Sequence, residues 1–296
     1  MKDGDSFAVR CHRVGTHSYS SIEACRQIGK EILTALGSRN LTVNLTSPKQ
    51  TITVEARDRD AYVFTETLQG AGGFPAGAQA KLVCLLSGGI DSPVACWLAM
   101  KRGSPVTPIY LDNSPFTDEA ATAKAIDTAK QLSQWSIGLP AKIITVQNGE
   151  NLQTITRDAP RRLTCILCKR LMYRIAERLA ASEHAEGIVT GEAIGEQASQ
   201  TVTNLRVLDQ AATDLPIHRP LLGFDKTETE ALARRIGTFQ ISTRKAKGCA
   251  AAPNQPATRA SLEAVLKAEQ SLDIEKMVEE SVKNAKTVSL NPTEAF

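Results

Sequence analysis

The six residues from Ser87 to Ser92, Ser-Gly-Gly-Ile-Asp-Ser, have the composition of a loop that binds phosphate. Two adjacent glycines let a backbone approach an anion without a Cβ in the way, so their amides can point at it. The run Lys81–Leu86 before them reads as a buried strand, and Ser92–Arg102 reads as a helix whose positive end faces the loop. The segment differs from the G-x-x-x-x-G-K-[ST] loop because it lacks the lysine and carries Asp91. We predict a phosphate loop for ATP; a plain glycine turn is the alternative.

Three of the seven cysteines have positions that could also support chemistry. Cys165 and Cys168 form a C-x-x-C pair just before or at the start of a predicted helix, Lys169–Ala181, whose dipole favours a thiolate. Cys249 lies in an irregular segment. A C-x-x-C pair is compatible with zinc, redox chemistry, an iron–sulfur cluster or two packed thiols. We expect the three thiols to meet near the phosphate loop.

The elements that must position these residues fall into two groups. A small α+β unit is predicted first, with strands Phe7–Arg13, Thr51–Ala56 and Ala61–Thr67 and a helix Ser21–Leu36. Four glycines and a proline within Gln69–Gly77 then indicate a turn-rich linker.

Beyond the linker, strands and helices alternate as in a doubly wound, parallel α/β sheet. The further strands are 105–111, 141–146 and 187–190, and the further helices are 117–132, 226–236 and an amphipathic tail over 261–286. Ligands of such sheets bind at the carboxyl ends of the strands, where the phosphate loop lies.

Length and composition favour a two-domain enzyme, since 296 residues with 42% hydrophobic content can build more than one core. The sequence contains neither a membrane span nor a signal-peptide core, and an odd number of cysteines suits a reducing compartment, so we expect a cytoplasmic protein. Residues 1–50 hold seven Lys or Arg and four Asp or Glu, a modest basic surface suited to a phosphate backbone or merely a solvated face. Aromatic residues make up 4%, so RNA recognition should depend on phosphate and shape.

The loop resembles the PP-loop of ATP pyrophosphatases, which implies adenylation with pyrophosphate as the leaving group. Three segments then resemble the tRNA 4-thiouridine synthetase (ThiI) family: Phe7–His17, Leu85–Val94, and Thr190-Gly-Glu-Ala-Ile-Gly195 with Ala198-Ser-Gln-Thr201. The resemblance implies a partial RNA-binding THUMP domain over 1–69, a linker over 70–79 and a PP-loop catalytic domain over 80–296. It also implies replacement of the C4 oxygen of uridine 8 in tRNA by sulfur.

Two departures from the family concern the sulfur and the RNA. The chain is expected to lack both the ferredoxin-like domain that usually precedes the THUMP domain and the rhodanese domain that supplies a persulfide in some members. The resemblance to rhodanese-less members implies that Cys165, Cys168 and Cys249 hold a 4Fe-4S or 3Fe-4S cluster. The alternative is a persulfide or disulfide mechanism through Cys249. The implied partners are tRNA and a sulfur donor, either sulfide or a cysteine desulfurase, with a homodimer left open and no membrane.

The resemblance also implies roles for individual residues. Asp91 would orient Mg²⁺ or the reacting groups, and Lys226 would steady the phosphates or the adenylate, so that Asp91, Lys226 and Cys249 are the catalytic candidates. Glu192 is a weaker candidate, and Lys169 beside Arg170 leaves the register of the basic position open. The residues implied to bind ATP are Leu85, Leu86, Ser87, Gly88, Gly89, Ser92, Tyr110, Leu111, Arg170, Gly191 and Gln200.

The predicted reaction has two steps, in which uridine O4 attacks the α-phosphate of Mg·ATP and a sulfur nucleophile then displaces AMP. An amide-forming PP-loop ligase is the alternative enzyme, disfavoured because a glutaminase region is absent and the cysteine triad is present. An RNA-binding protein with a relic ATP site is the alternative outside enzymes.

Overall fold

The structure is a computed structural model that describes residues 1–136 and 138–290, and it divides into two units, Met1–Ala71 and Gly72–Phe296. The division falls inside the predicted linker 70–79. Residues 72–79 therefore belong to the second unit.

The first unit is a four-stranded sheet with one long helix. Its β1 strand lies parallel to β2 and β3, and β4 is antiparallel to β3, in the order β2-β1-β3-β4. Phe7, Val9, Ile52 and Val54 alternate along β1 and β3 and form the small core. Its elements are β1 (Ser6–Val14), α1 (Ser21–Ala35), a 3₁₀ turn (Gly37–Arg39), β2 (Thr42–Val43), β3 (Gln50–Arg57) and β4 (Asp60–Phe64).

The second unit is a six-stranded sheet with helices around it, in the order β10-β7-β6-β5-β8-β9. All its neighbouring strands are parallel except β10, which is antiparallel to β7. This confirms the doubly wound α/β fold. The elements are β5 (Leu82–Leu85), α2 (Asp91–Lys101), β6 (Val106–Asp112), α3 (Glu119–Ser133), β7 (Lys142–Gln147), α4 (Gly149–Asp158), α5 (Thr164–Ser182), β8 (Ile188–Val189), α6 (Val202–Asp209), β9 (Ile217–His218), α7 (Lys226–Ile236), α8 (Phe239–Ser242), α9 (Leu262–Glu269), α10 (Ile274–Lys283) and β10 (Lys286–Ser289).

The strand order creates a crevice at the centre of this sheet. The chain runs outward from β5 to β6 and β7, then crosses back to place β8 on the other side of β5. Such a reversal leaves an opening at the carboxyl ends of the two strands on either side of it. The phosphate loop follows β5 and Thr190–Gly191 follows β8, so the fold brings these two segments together.

Several boundaries differ from the predictions. The tail predicted as one helix over 261–286 is two helices, α9 and α10, and the start of a strand, because Asp273 caps a new helix by accepting from the Lys276 backbone N–H. The strand predicted to reach Thr67 ends at Phe64. The helix predicted from Lys169 begins at Thr164. Within the described residues, no helix has both the length and the apolar content needed to cross a membrane.

Candidate active site

The phosphate loop is held by its two serines. Ser92 Oγ accepts a hydrogen bond from the Ser87 backbone N–H at 2.8 Å and lies 2.9 Å from Ser87 Oγ, while Ser87 Oγ accepts from the Gly89 N–H at 3.2 Å. Ser242 Oγ donates to the Gly89 carbonyl at 3.0 Å. The loop between β5 and α2 is therefore closed on itself, with the N-terminus of α2 beside it.

The glycines around the loop are explained by space rather than by unusual backbone angles. Neither Gly88 nor Gly89 has a φ in the left-handed region. A Cβ on Gly88 would lie 2.9 Å from the Lys124 Cβ, and a Cβ on Gly191 would lie 2.5 Å from the backbone of Ser92. Gly191 thus lets the end of β8 pack directly against the start of α2.

A cavity of about 340 Å³ opens between the loop and the end of β8. Ten of the residues predicted to bind ATP or act on it line this cavity, namely Leu85, Leu86, Ser87, Gly88, Asp91, Ser92, Tyr110, Leu111, Gly191 and Gln200. The cavity is also lined by Asn113, Thr117, Ala121, Lys169, Met172, Tyr173, Thr190, Glu192 and Gln197. Gly89, Lys226 and the three cysteines are not among the lining residues.

Two polar atoms of the cavity wall lack a hydrogen-bond partner in the described chain. They are Oε1 of Gln200, a residue only 5% exposed, and Oγ1 of Thr117. A buried polar atom without a partner is costly, so native structures rarely leave one. Their position in the cavity wall indicates a ligand that offers an N–H or O–H group to Gln200 Oε1.

Asp91 and Lys226, predicted as catalytic residues, form an ion pair, and Asp91 is the partner that lines the cavity. Lys226 Nζ lies 2.7 Å from Asp91 Oδ1 and 3.5 Å from Glu196 Oε2. Partial burial opposes the charge of Lys226, but the two carboxylates outweigh it and raise the pKa of the ammonium. The cation beside the phosphate loop is therefore charged at neutral pH, and two carboxylates face it.

Glu192, another lining residue of the cavity, is the centre of a buried network. Its Oε1 accepts from Lys169 Nζ at 2.8 Å, and its Oε2 accepts from Tyr173 at 2.6 Å, Arg219 Nε at 2.8 Å and Thr190 at 3.1 Å. Burial alone would raise the pKa of Glu192, but Lys169 and the other donors lower it to about 2. The carboxylate thus fixes the Lys169 ammonium at the cavity wall.

Helix α5 carries the cysteine pair and three lining residues of the cavity on a single face. Cys165, Cys168, Lys169, Met172 and Tyr173 recur at intervals of three and four residues, the spacing of one helix face. The last three line the cavity, and the two cysteines precede them by about one helical turn. The helix therefore links the thiols to the predicted ATP site.

Arg170 differs from its prediction as an ATP-binding residue. It is completely buried on another face of α5, where its Nε and Nη2 donate to Glu269 at 2.8 and 3.0 Å and its Nη1 donates to the Val207 carbonyl. The reason is the register, because successive helical residues point about 100° apart. Lys169 is the basic residue of this pair that faces the cavity.

The cysteine pair is connected to the cavity through two asparagines. Asn148 Nδ2 donates to Asn113 Oδ1 at 2.7 Å and lies 3.7 Å from Cys168 Sγ. Burial, followed by the nearby Cys249 thiol, raises the pKa of Cys165, and burial raises the pKa of Cys168 to about 12 despite the Asn148 contact. Both thiols are therefore protonated at neutral pH unless a cation binds them.

Cys249 is close enough to affect both of the other thiols. Its charge would raise the pKa of Cys165 and of Cys168, and the next residue, Ala250, donates its N–H to the Phe116 carbonyl beside the cavity at 2.8 Å. In the described part of the chain, no three Cys, His, Asp or Glu side chains are arranged to hold a metal ion. Ligands of a single metal ion must converge on one point, whereas the thiolates of a polynuclear cluster bind different irons. The three-thiol donor set fits such a cluster chemically.

Two family models together match most of the chain. A model described as thiamine biosynthesis protein (ThiI) matches residues 77–274, and a THUMP domain model matches residues 1–66. A relative from Methanosarcina mazei, named a probable tRNA sulfurtransferase, is 43% identical over 98% of this chain and 72% of its own length. A relative of the same name from Methanothermobacter thermautotrophicus is 42% identical over 93% of this chain and 69% of its own length.

A solved structure shares the fold over nearly the whole of this chain. It is a 4-thiouridine synthetase in complex with RNA and bound ATP, with a TM-score of 0.86 and 35% identity over 96% of this chain and 74% of that protein. A second, PH1313 from Pyrococcus horikoshii, has a TM-score of 0.56 at 20% identity and shares the fold.

Proposed function

The chain belongs to the ThiI family, and on that premise we propose that it is an ATP-dependent tRNA sulfurtransferase that converts uridine 8 of tRNA to 4-thiouridine. The observation that carries the proposal is the single face of α5, on which Cys165 and Cys168 lie within about one turn of Lys169, a lining residue of the cavity of about 340 Å³. A PP-loop ligase that forms amides has no use for thiols at this place.

In the first step, O4 of the uracil attacks the α-phosphate of ATP, pyrophosphate leaves and the N3 proton of uracil is released. The Gly88 amide, the N-terminus of α2 and Lys226 stabilise the departing charge. Asp91 and Glu196 offer the carboxylate oxygens that Mg²⁺ prefers, and Mg²⁺ neutralises pyrophosphate when bound. Gln200 Oε1 accepts from the adenine amino group, which satisfies its unpaired acceptor. Lys169, held by Glu192, binds an ATP phosphate.

In the second step, hydrosulfide attacks C4, the C4–O bond breaks and AMP leaves, while N3 regains its proton to give 4-thiouridine. Cys165, Cys168 and Cys249 are the residues that would hold an iron–sulfur cluster, which would supply the sulfur nucleophile. The chain's own residues orient this step, because Asn148 and Asn113 fix Cys168 relative to the cavity. The sulfur comes from sulfide or a cysteine desulfurase.

The RNA is bound in part by the first unit. The match of residues 1–66 to the THUMP domain family supports this assignment, as does the excess of Lys and Arg in residues 1–50. The basic side chains are largely exposed and so remain available to phosphate.

Nucleoside mass spectrometry tests the proposed function. Unmodified tRNA is incubated anaerobically with iron-reconstituted protein, Mg·ATP and sulfide, and we expect 4-thiouridine to appear. Asp91→Ala should abolish it by removing the partner of Lys226, with a loss of at least about 10²-fold. Glu230→Ala is the matched control, because Glu230 forms an exposed ion pair with Arg234 on the same helix as Lys226. Absence of the product with wild-type protein that binds both ATP and tRNA would contradict the proposal.

A further inference from the structure

A second cavity lies in the catalytic unit at the end of α2 opposite the phosphate loop. Its volume is about 750 Å³, which is large enough for a nucleotide. We call it the α2 cavity. Its lining includes the apolar side chains of Phe74, Leu98 and Phe224 and the cations Lys101 and Arg102.

The glycine-rich segment predicted as a linker builds one side of the α2 cavity. The Phe74 N–H donates to the Lys101 carbonyl at 3.0 Å, and the Gly77 and Gln79 N–H groups donate to the Gly103 carbonyl at 2.9 and 3.2 Å. A Cβ on Gly73, whose φ is +88°, would lie 1.8 Å from the Lys101 carbonyl oxygen. Glycine is therefore needed for the segment to dock on the end of α2, and the docking fixes Phe74.

Phe74 is held half-exposed beside this cavity. Its residue exposure is 50%, and the Arg102 guanidinium lies 4.6 Å from the centroid of its ring. An aromatic ring placed with a guanidinium on the wall of a groove is the arrangement on which unstacked nucleobases bind. Because aromatic residues make up only 4% of the chain, few rings could stack on a base, and Phe74 is one that is both fixed and exposed.

The charges of the α2 cavity are complementary to phosphate. Among residues 1–136 and 138–290, no carboxylate forms an ion pair with Lys101 or Arg102, and Glu186 is the one acidic residue among those that line the cavity. Cations at the end of a helix also complement its dipole. Stabilisation of the helix dipole would explain the two cations, but it would not explain why a cavity and an exposed aromatic ring lie beside them.

We propose that the α2 cavity binds an unstacked nucleotide of the RNA substrate, with its base against Phe74 and its phosphate against Lys101 and Arg102. This inference rests on the proposed function. Helix α2 has 11 residues and is therefore about 16 Å long. A tRNA that presents a uridine at the phosphate loop is large enough to reach the cavity at the other end of the same helix.

The test measures the dissociation constant of an unmodified tRNA transcript by fluorescence anisotropy over a range of NaCl concentrations. Phe74→Ala should weaken binding by about 5- to 150-fold, the effect of removing one base stack, and Phe74→Tyr should restore it. Lys101→Ala with Arg102→Ala should reduce the slope of log affinity against log salt by about 0.7 for each phosphate that is no longer neutralised. Lys276→Ala with Lys283→Ala on α10 is the control pair, which should change neither quantity.

Binding of ATP by each variant shows that the catalytic unit is folded. If wild-type protein binds tRNA and all the α2-cavity variants bind it with the same affinity and salt slope, this inference alone is wrong. If wild-type protein binds ATP but no tRNA, the proposed function fails and this inference fails with it. Loss of affinity in Phe74→Ala with recovery in Phe74→Tyr supports it.

Discussion

Glu192 shows how one residue can serve both stability and the reaction. It is 4% exposed and accepts from four side chains, of which Lys169 lines the cavity and Arg219 is itself paired with Asp209 at 2.5 Å. Burial of a lone carboxylate would be unfavourable, so the surrounding cations are what keep it ionised. Lys169 is in turn held in one place, which reduces the reorganisation needed when a phosphate arrives.

Glu192→Gln should therefore destabilise the fold in a pH-dependent way. Folding lowers the pKa of Glu192 from 4.5 to about 2, so its stabilisation is fully present above about pH 5 and is lost as the pH falls towards 2. We expect the variant to lower the free energy of unfolding by about 3 kcal/mol at pH 7 and by about half of that or less at pH 3. Urea unfolding at the two pH values measures this difference.

The control for this experiment is Glu275→Gln, since Glu275 pairs with Arg178 on the surface with 61% of its side chain exposed. It should change the free energy of unfolding by no more than about 1 kcal/mol. A Glu192→Gln variant equally destabilised at pH 7 and pH 3 would contradict the charge argument and leave only a packing effect.

At the scale of elements, α5 separates its two tasks by face. Lys169 faces the cavity, while Arg170 and Arg174 both bind Glu269 of α9 on another face. Burial would raise the pKa of Glu269, but the two guanidinium groups lower it. The helix is thus anchored on one side and presents chemistry on the other.

This division predicts that substitution of Arg170 mainly lowers stability, whereas substitution of its neighbour Lys169 mainly weakens ATP binding. Arg170→Ala should lower the free energy of unfolding by about 3–5 kcal/mol, because it removes one partner of a buried ion pair. Lys169→Ala should weaken ATP binding by about 10- to 150-fold, the effect of removing one charged hydrogen bond, with a smaller decrease in stability because Arg219 still pairs with Glu192. Calorimetric titration with ATP and urea unfolding measure the two effects.

Arg178→Ala provides the control on the same helix, because Arg178 lies in an exposed pair with Glu275. It should change neither ATP affinity nor, by more than about 1 kcal/mol, stability. A stable Arg170→Ala variant with impaired ATP binding would restore Arg170 to the ATP site and overturn the register given by the structure.

The cysteines can be tested on the same element. After anaerobic reconstitution, Cys165→Ala should lose the visible absorbance of an iron–sulfur cluster and most of its bound iron, because one of three ligands is gone. Cys25→Ala in the first unit is the control and should retain both. Iron content and absorbance unchanged in Cys165→Ala would show that this thiol is not a ligand and would favour the persulfide mechanism.

The comparison of elements also shows what sequence can predict. The strand, loop and helix around Ser87–Ser92 are predictable because their signals are local. The orientation of Arg170 is not, because it depends on Glu269, 99 residues away. The network of Glu192 likewise depends on Arg219, 27 residues away. The break in the tail could have been predicted from Asp273, which is a residue type typical of a helix N-cap. The amphipathic pattern over the whole segment favours a single helix instead.

At the scale of the whole molecule, the cavity proposed to bind ATP is built from one unit alone. All its lining residues, the three cysteines and Lys226 lie within Gly72–Phe296, and the large core that supports them lies there too. The first unit has its own small core around Phe7 and Ile52, and the basic excess of residues 1–50 lies in it. The two tasks of holding ATP and holding RNA are therefore expected to be separable.

A fragment of residues 72–296 should bind ATP with the affinity of the full chain, because it retains every group of the cavity. Its affinity for tRNA should fall, and the slope of log affinity against log salt should become shallower because the cations of the first unit no longer neutralise phosphates. Calorimetry with ATP and anisotropy with tRNA measure both in parallel, and the full chain is the reference. A fragment that keeps the tRNA affinity and salt slope of the full chain would place RNA binding in the catalytic unit. The role proposed for residues 1–69 would then be wrong, while the α2 cavity would become the leading candidate for the RNA-binding surface.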